Sequence, residues 1–344
     1  MRVVAYHSFD PLSEQWDELV ARVALRESIF LTLGWQRAWW RHLGRGELWL
    51  LAVCGEGNRL TGIVPLSLRA GRFTLLGCVE VGDYLDIICA AEDTEAVLGA
   101  ALDFLCGPST PAWHELHLCS IHERSPTRAA LRSAAEKHGF WIRERQQDVC
   151  PVVPLPDTWE AYLAQLDRKH RHELRRRLRL AEANPEIGWY IADPEGDLPK
   201  AVDIFIRLMR ASHPDKAAFM TEEMAAFFHA VAREAAARGA LQLAFLTVGG
   251  QEAAALFNFD VNNRILVYNS GFDFRRFPRL GAGFLLVAYT IRHAIEQGRE
   301  AYDFLRGDEA YKYRFGGQDV AVWDYLISWP GTIQLLMRSL MKMR

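Results

Sequence analysis

The sequence predicts an α/β (α+β) chain built from two tandem copies of one unit, each a mixed, mainly antiparallel sheet flanked by helices. Three observations carry that prediction. An apolar strand meander with a glycine turn occurs twice, the same helices and strands bracket each copy, and a proline-rich stretch lies between the copies. With 344 residues the chain has room for two domains of ordinary size.

In the first copy, apolar periodicity predicts helices over Ser13 to Ala24 and Gly34 to His42. The meander comes next, with strands over 48–53, 63–66 and 73–77 and a turn at Gly55-Glu56-Gly57, then a helix from Glu95 to Leu105 and a strand over 115–118. The second copy repeats the order. Helices over Leu198 to Ala211 and Glu222 to Arg238 precede strands over 241–246, 255–259 and 265–268, with a turn at Gly249-Gly250. A helix from Gly281 to Gln297 and a strand over 302–305 complete it. Laying Gly57 on Gly250 brings both flanking apolar runs into register. Three prolines within 151–156 mark the junction, so the expected domains are 1–154 and 155–330. Residues 331–344 read as a basic amphipathic helix that packs back on the first domain, with peripheral contact to an anionic membrane as the less favoured reading.

Half the residues are hydrophobic, 24% are charged and the net charge is −3. This is a globular composition that gives no global reason to bind nucleic acid, and no DNA partner is expected. The six cysteines contain no C-x-x-C pair, so neither a zinc site nor a disulfide framework is expected. His114 and His117, at i and i+3 on a strand, point to opposite faces and make a poor metal pair; no metal is assigned. The first residues lack the apolar run of a signal peptide, and no apolar segment approaches the roughly 20 residues of a membrane span. The expected location is the cytoplasm.

The copies differ where chemistry would sit. In the second, Arg279-Leu280-Gly281-Ala282-Gly283 opens a helix without a charge as far as Ile291. Amides of Leu280, Gly281, Ala282 and Gly283 at a helix start carry partial positive charge, and glycine lets a phosphate come close; a tight helix entry would read the same way. In the first copy the matching connection runs from Asp83 to Asp93 with four acids, which would repel phosphate, and no glycine. There Asp83 and Tyr84 are candidate acceptor contacts or ordinary surface-loop residues.

A second cluster runs from Asp303 to Arg314. Asp303 would orient substrate or hold a turn, and Glu309 would act as a general base or cap a short helix. Lys312 and Arg314 would neutralise phosphate on donor or acceptor, and Tyr311 stands beside them as a phenol. Residues 168–179 hold seven Arg/Lys against one acid. Leu166, Leu174, Leu178 and Ala181 form one apolar stripe, so this is a helix docked by one face. Its basic faces, with Arg168, Arg171 and Arg175, are either a solvated surface or a polyanion site.

The meander, glycine turn, buried helix and following strand resemble the core of the GNAT acyltransferase superfamily, whose glycine turn binds the pyrophosphate of acyl-coenzyme A. In the hexad from Pro278 to Gly283 both glycines match the family pattern, while proline stands where Gln or Arg is usual and Arg279 comes directly after it. The duplication, the basic helix and the run from Asp303 to Lys312 resemble the CelD-like and FemAB-like branch, whose members carry two GNAT-type domains. The resemblance covers nearly the whole chain. It implies an acyl-CoA-dependent N- or O-acyltransferase, with acetyl-CoA or another acyl-CoA as co-substrate and a small-molecule or lipid-linked sugar, or an envelope polysaccharide precursor, as acceptor. Strand amides of Tyr268, Asn269 and Ser270 would then polarise the thioester carbonyl, and Tyr311 would donate a proton to the leaving thiolate. The alternatives it leaves are a FemAB-like transferase using aminoacyl-tRNA and a non-catalytic GNAT-fold binding protein.

Overall fold

The computed structural model describes residues 1–23, 29–78, 81–278 and 280–329. The chain forms two compact units: Met1–Asp148 with the segment that returns at Ala321, and Val149–Val320. The expected helix over 331–344 lies outside the described residues.

In the first unit, β1 (Arg2–Tyr6), α1 (Ser13–Val20) and α2 (Leu33–Leu43) lead into the meander β2 (Glu47–Cys54), β3 (Leu60–Arg69) and β4 (Arg72–Leu75). The chain then makes a short strand β5 (Ile88–Cys89), a helix α3 (Thr94–Leu105), β6 (Glu115–His122) and α4 (Thr127–Lys137). Strands β1 to β4 pair antiparallel, β4 runs parallel to β6, and β5 returns to pair with β3. One sheet face packs on Trp16, Leu19, Leu50, Ala52 and Ile63. Cys78 and Cys119 form a disulfide, contrary to the expectation from spacing. The pair lies far apart in sequence, and only the turn after β4 meeting β6 brings it together.

The strand β7 (Trp141–Pro154) runs through the proline-rich stretch read as a junction, and its residues 149–154 belong to the second unit. There α5 (Trp159–Gln165) and α6 (Arg168–Glu182) come next, then β8 (Ile187–Ile191), α7 (Leu198–Ser212), α8 (Pro214–Phe219) and α9 (Glu222–Ala237). The meander β9 (Leu241–Val248), β10 (Gln251–Val261) and β11 (Arg264–Phe272) leads to α10 (Ala282–Glu296), β12 (Ala301–Asp303) and α11 (Ala310–Arg314). Side chains of Asp167, Asp197 and Thr221 accept backbone N–H bonds at the starts of α6, α7 and α9, which fixes where each begins. The sheet order is β8-β9-β10-β11-β12-β7, parallel only between β11 and β12. The last strand of the chain, β13 (Gln318–Ser328), pairs antiparallel with β6 from Val322 onward, inside the first unit.

Helix α10 is apolar on nearly every face because it is buried nearly all round: Leu286, Ala288, Ile291 and Ala294 have no exposed surface. Each large apolar side chain buried there contributes on the order of 1.5–3 kcal/mol. The opposite face of the same sheet packs Phe205, Phe228 and Phe257 against α7 and α9.

Candidate functional site

The second unit opens at one place in its sheet. Strands β11 and β12 pair only from Arg264↔Ala301 to Leu266↔Asp303, and then separate. At the same level β11 carries a bulge: Phe257 faces Asn269 and Asn258 faces Val267, so that Tyr268 is an extra residue on β11. The bulge turns Tyr268 toward the aromatic cluster of Phe228, Phe257 and Phe259, with its ring 5.1 Å from that of Phe259.

Beyond the bulge lies a cavity of about 350 Å³. Ala255 and Leu256 of β10, Ser270 to Phe272 of β11, Phe284 and Val287 of α10, and Tyr311 of α11 form much of its wall. Gly281, Ala282 and Gly283 stand at its edge with Pro278. Gly281 is left-handed at φ +65°, a conformation that suits glycine and lets α10 begin at Ala282 with its first-turn amides toward this edge. A Cβ on Gly281 would lie 2.6 Å from Nη1 of Arg177, whereas one on Gly283 would make an ordinary 3.5 Å contact with Phe272. Arg177 also covers the ring of Phe284 at 5.1 Å and is held by Glu173 at 2.9 Å. The basic helix therefore delivers a guanidinium to the glycine turn.

The edge of β11 beyond the bulge is capped by side chains. Ser270 N–H donates to Asn269 Oδ1 at 3.1 Å, and Phe272 N–H donates to Ser212 Oγ at 2.7 Å. Lys216, from α8, donates to the Ser270 carbonyl at 2.6 Å and to its hydroxyl at 3.2 Å. Burial holds the Lys216 ammonium below the ordinary lysine pKa, against the opposing pull of the Glu309 charge. On the cavity wall, burial first and Glu309 second push the Tyr311 phenol well above its usual range. Tyr311 is therefore held as the neutral phenol at physiological pH.

The predicted residues separate into groups. Ser270, Gly281, Ala282, Gly283 and Tyr311 come together around the cavity. Leu280 donates its N–H to Phe277 O at 3.4 Å, which removes that amide from the set expected to face a phosphate. Arg279 lies outside the described residues. Asp303 is 1% exposed; its Oδ1 accepts from Leu305 N–H at 2.8 Å and Arg264 lies 3.9 Å away, so it holds the turn in which Leu305 takes φ +54°. Lys312, expected to meet phosphate, is 3% exposed and donates to the carbonyls of Leu305, Arg306 and Gly307 at 3.1, 2.7 and 2.9 Å. Its remaining contact is Glu309 at 2.9 Å, so the ammonium is an internal strut of this loop. Glu309 precedes α11 without a side-chain cap bond, and Arg314 is exposed. Arg168 and Arg175 are exposed on α6 and Arg171 is half-buried.

In the first unit, Asp83 and Tyr84 are buried, contrary to the surface-loop reading. Asp86 is buried with them and accepts from Ser125 Oγ, Thr127 Oγ1 and Ile87 N–H. Burial raises its pKa to about 6 against the lowering effect of those three bonds. Among the described residues no group of three or more His, Cys, Asp or Glu is arranged to hold a metal ion. Sequence reasoning missed Arg177, Ser212 and Lys216. The first was hidden inside a run of like residues, and the other two come from a helix corner far from the glycine turn in sequence.

A bulged strand splaying from its parallel neighbour, beside a glycine-started buried helix and an apolar cavity, is the architecture of GNAT-type transferases. The second unit carries a domain of the GNAT type. Residues 168–313, within the second unit, match the acetyltransferase (GNAT) domain family. The fold is similar to that of FemX at 11% identity and a TM-score of 0.64, covering 94% of this chain and 97% of that one. It is also similar to L-PGS from Bacillus licheniformis, at 11% identity and a TM-score of 0.54, over 85% of this chain and 90% of the other. A tandem GNAT protein from the clavulanic acid biosynthesis pathway matches at 12% identity and a TM-score of 0.51, over 96% and 99% of the two chains. No curated protein matches the sequence. No described helix is long and apolar enough to cross a membrane.

Proposed function

We propose that the chain is an acyltransferase whose second unit takes an acyl-CoA thioester and passes the acyl group to an amine or hydroxyl of a sugar or envelope-polysaccharide precursor. One observation carries this reading. Gly281, left-handed at the start of α10, and Arg177 beside it meet at the mouth of an apolar cavity of about 350 Å³, within the size range of small-molecule sites. The amides and the guanidinium suit the donor phosphates, and the cavity suits the apolar arm.

In the transfer, the acceptor N–H or O–H attacks the thioester carbon, the C–S bond breaks, and the acceptor's proton ends on the thiolate. Most of the acceleration would come from holding the two reactants together. Tyr311, kept protonated by its buried setting, donates to the leaving sulfur and regains a proton from the acceptor side, with the exposed Glu309 as the neighbouring base. Lys216 fixes the Ser270 peptide at the cavity wall, so the polar edge of β11 is set before substrate arrives.

The test is a thermal shift of the purified chain with acetyl-CoA and longer acyl-CoAs. Stabilisation is expected for the native chain and its loss in Gly281→Glu, with the fold checked by circular dichroism. A folded native chain that no acyl-CoA stabilises overturns the reading. An aminoacyl-tRNA donor is the second reading, favoured by the exposed Arg168 and Arg175 on α6, away from the cavity wall. Binding of charged tRNA that weakens steeply with salt would move the assignment there.

A further inference from the structure

A second basin in the second unit lies beside the apolar cavity and is not among the groups assigned to the donor above. It measures about 820 Å³ and lies between the end of α7, the start of α8 and the loop that leaves β11. Arg210, His213, Arg275 and Arg276 line it, and it shares Asp273 and Phe274 with the apolar cavity. The two spaces are therefore adjacent, one apolar and one cationic.

The loop is built to present these charges. Asp273 Oδ1 accepts from Arg276 N–H at 3.1 Å, closing the turn, and the Arg276 guanidinium lies 5.8 Å from the Phe277 ring centroid. Arg210 gives Nε and Nη2 to the Met220 carbonyl at 3.2 and 2.8 Å, which holds the guanidinium plane while Nη1 keeps its own N–H groups. The acids at hand are Asp273, already engaged in the turn, and Asp215, 3.3 Å from His213. Three guanidiniums against two carboxylates make a local cationic excess in a chain of net charge −3. Phe274, on the shared wall, is 54% exposed, an apolar surface beside three arginines. Planar guanidiniums grouped in this way match the oxygens of a phosphate or diphosphate.

We infer that this basin binds the phosphate or diphosphate group of the acceptor, whose organic part reaches past Phe274 toward the acyl donor. Its role as an acceptor site rests on the acyltransferase reading; its binding of the anion does not. The phosphate belongs either to a soluble organophosphate or to a lipid headgroup.

Two arms separate those sources, both with the full chain. Calorimetric titration with inorganic diphosphate reads the soluble form, and flotation with vesicles of phosphatidylglycerol in phosphatidylcholine reads the lipid form. Binding is expected in at least one arm, weakening as salt rises and falling about tenfold or more in Arg275→Ala/Arg276→Ala, whose side chains are exposed. The same binding is expected to persist in Gly281→Glu, which removes only the donor end. No binding in either arm overturns the inference. So does binding that survives the double substitution, or that disappears in Gly281→Glu alone. A native chain that binds diphosphate through Arg275 and Arg276 yet ignores every acyl-CoA keeps the basin and removes the donor assignment.

Discussion

In the first unit, β4 pairs with β3 as far as Leu66↔Leu75 and runs parallel to β6 for three residues, Arg72↔Glu115 to Thr74↔His117. In the second, β11 pairs with β10 and runs parallel to β12 for three residues, Arg264↔Ala301 to Leu266↔Asp303. The frameworks agree up to the end of the parallel stretch, and there the two chain paths diverge. In the second unit β11 loses one residue to the bulge at Tyr268 and continues beside β10 to Phe272, along the cavity. In the first, β4 ends at Leu75, Leu76 N–H still donates to Pro65 O, and β5 pairs with β3 at Ile88 and Cys89. The segment 81–87 between them is buried throughout. It is tied down by Leu85 N–H to Ser120 O, by the bonds to Asp86, and by the Cys78–Cys119 disulfide just before it. Helix α3 closes directly on β3, so that a Cβ on Gly62 would lie 2.6 Å from Val97. The described part of the first unit places its own buried chain, 81–87, after β4, whereas β11 of the second unit runs on along the cavity, and the donor site is proposed for the second unit on that difference.

The open state of the second unit depends on the loop after β12, so the largest effect is expected from Lys312→Met. The change keeps the buried stem but leaves the carbonyls of Leu305, Arg306 and Gly307 and the Glu309 carboxylate without the ammonium. A loss of about 3 kcal/mol or more is expected in urea unfolding, because groups buried without partners cost their desolvation. Acyl-CoA stabilisation should fall with it, since Tyr311 sits on the same short helix. A Lys312→Met chain of unchanged stability would show that this loop is not held by the lysine.

For the sealed unit the informative change is Asp86→Asn. The folded-state pKa of Asp86 is raised from 3.8 to about 6, chiefly by burial, so between those values the folded chain holds a proton that the unfolded chain has released. Stability from this group is therefore present below about pH 4 and lost as pH rises toward 6, a span worth about 3 kcal/mol at most. Asp86→Asn, which stays neutral, should flatten the fall in stability between pH 4 and 6. It should leave acyl-CoA stabilisation as it is, because the donor is proposed to sit on the second unit. An unchanged pH profile would show that Asp86 is solvated and that the plug is looser than its burial indicates.

The shared framework was legible because period and order repeat: glycine turns, apolar runs and bracketing helices recur in both halves. The Gly281 turn was legible for the same reason, since only one copy has it. The features that decide open against sealed were not. A one-residue bulge at Tyr268 leaves no compositional trace, and the acids of 83–86 read as surface residues because nothing local shows that hydroxyls from 125 and 127 will receive Asp86. The run 168–179 could be read as a docked basic helix from Leu174 and Leu178. That Arg177, flanking that stripe, is the residue reaching Gly281 depends on how α6 lies against α10, which is a tertiary fact. The lysine of the Asp303–Arg314 cluster read as a ligand group and proved to be a loop strut, because its composition cannot tell an outward ammonium from an inward one.

The smallest expected effect separates the two glycines of the turn. Gly281 is left-handed and Arg177 fills the position of a Cβ, so any side chain there meets both backbone strain of about 1–2 kcal/mol and a guanidinium that must move. Gly283 is inside α10 with room for a methyl group against Phe272. Gly283→Ala should therefore be neutral or stabilise the chain by up to about 1 kcal/mol in urea unfolding, as alanine replaces glycine in a helix. Its effect on acyl-CoA then reports how close the donor comes to this turn. Unchanged stabilisation by acyl-CoA would mean that the phosphates rest on Gly281 and Arg177 alone. A weakened response in a chain that is no less stable would mean that they also pass over Gly283, where a methyl group obstructs them, and that both glycines belong to the set of features distinguishing this copy from its sealed counterpart.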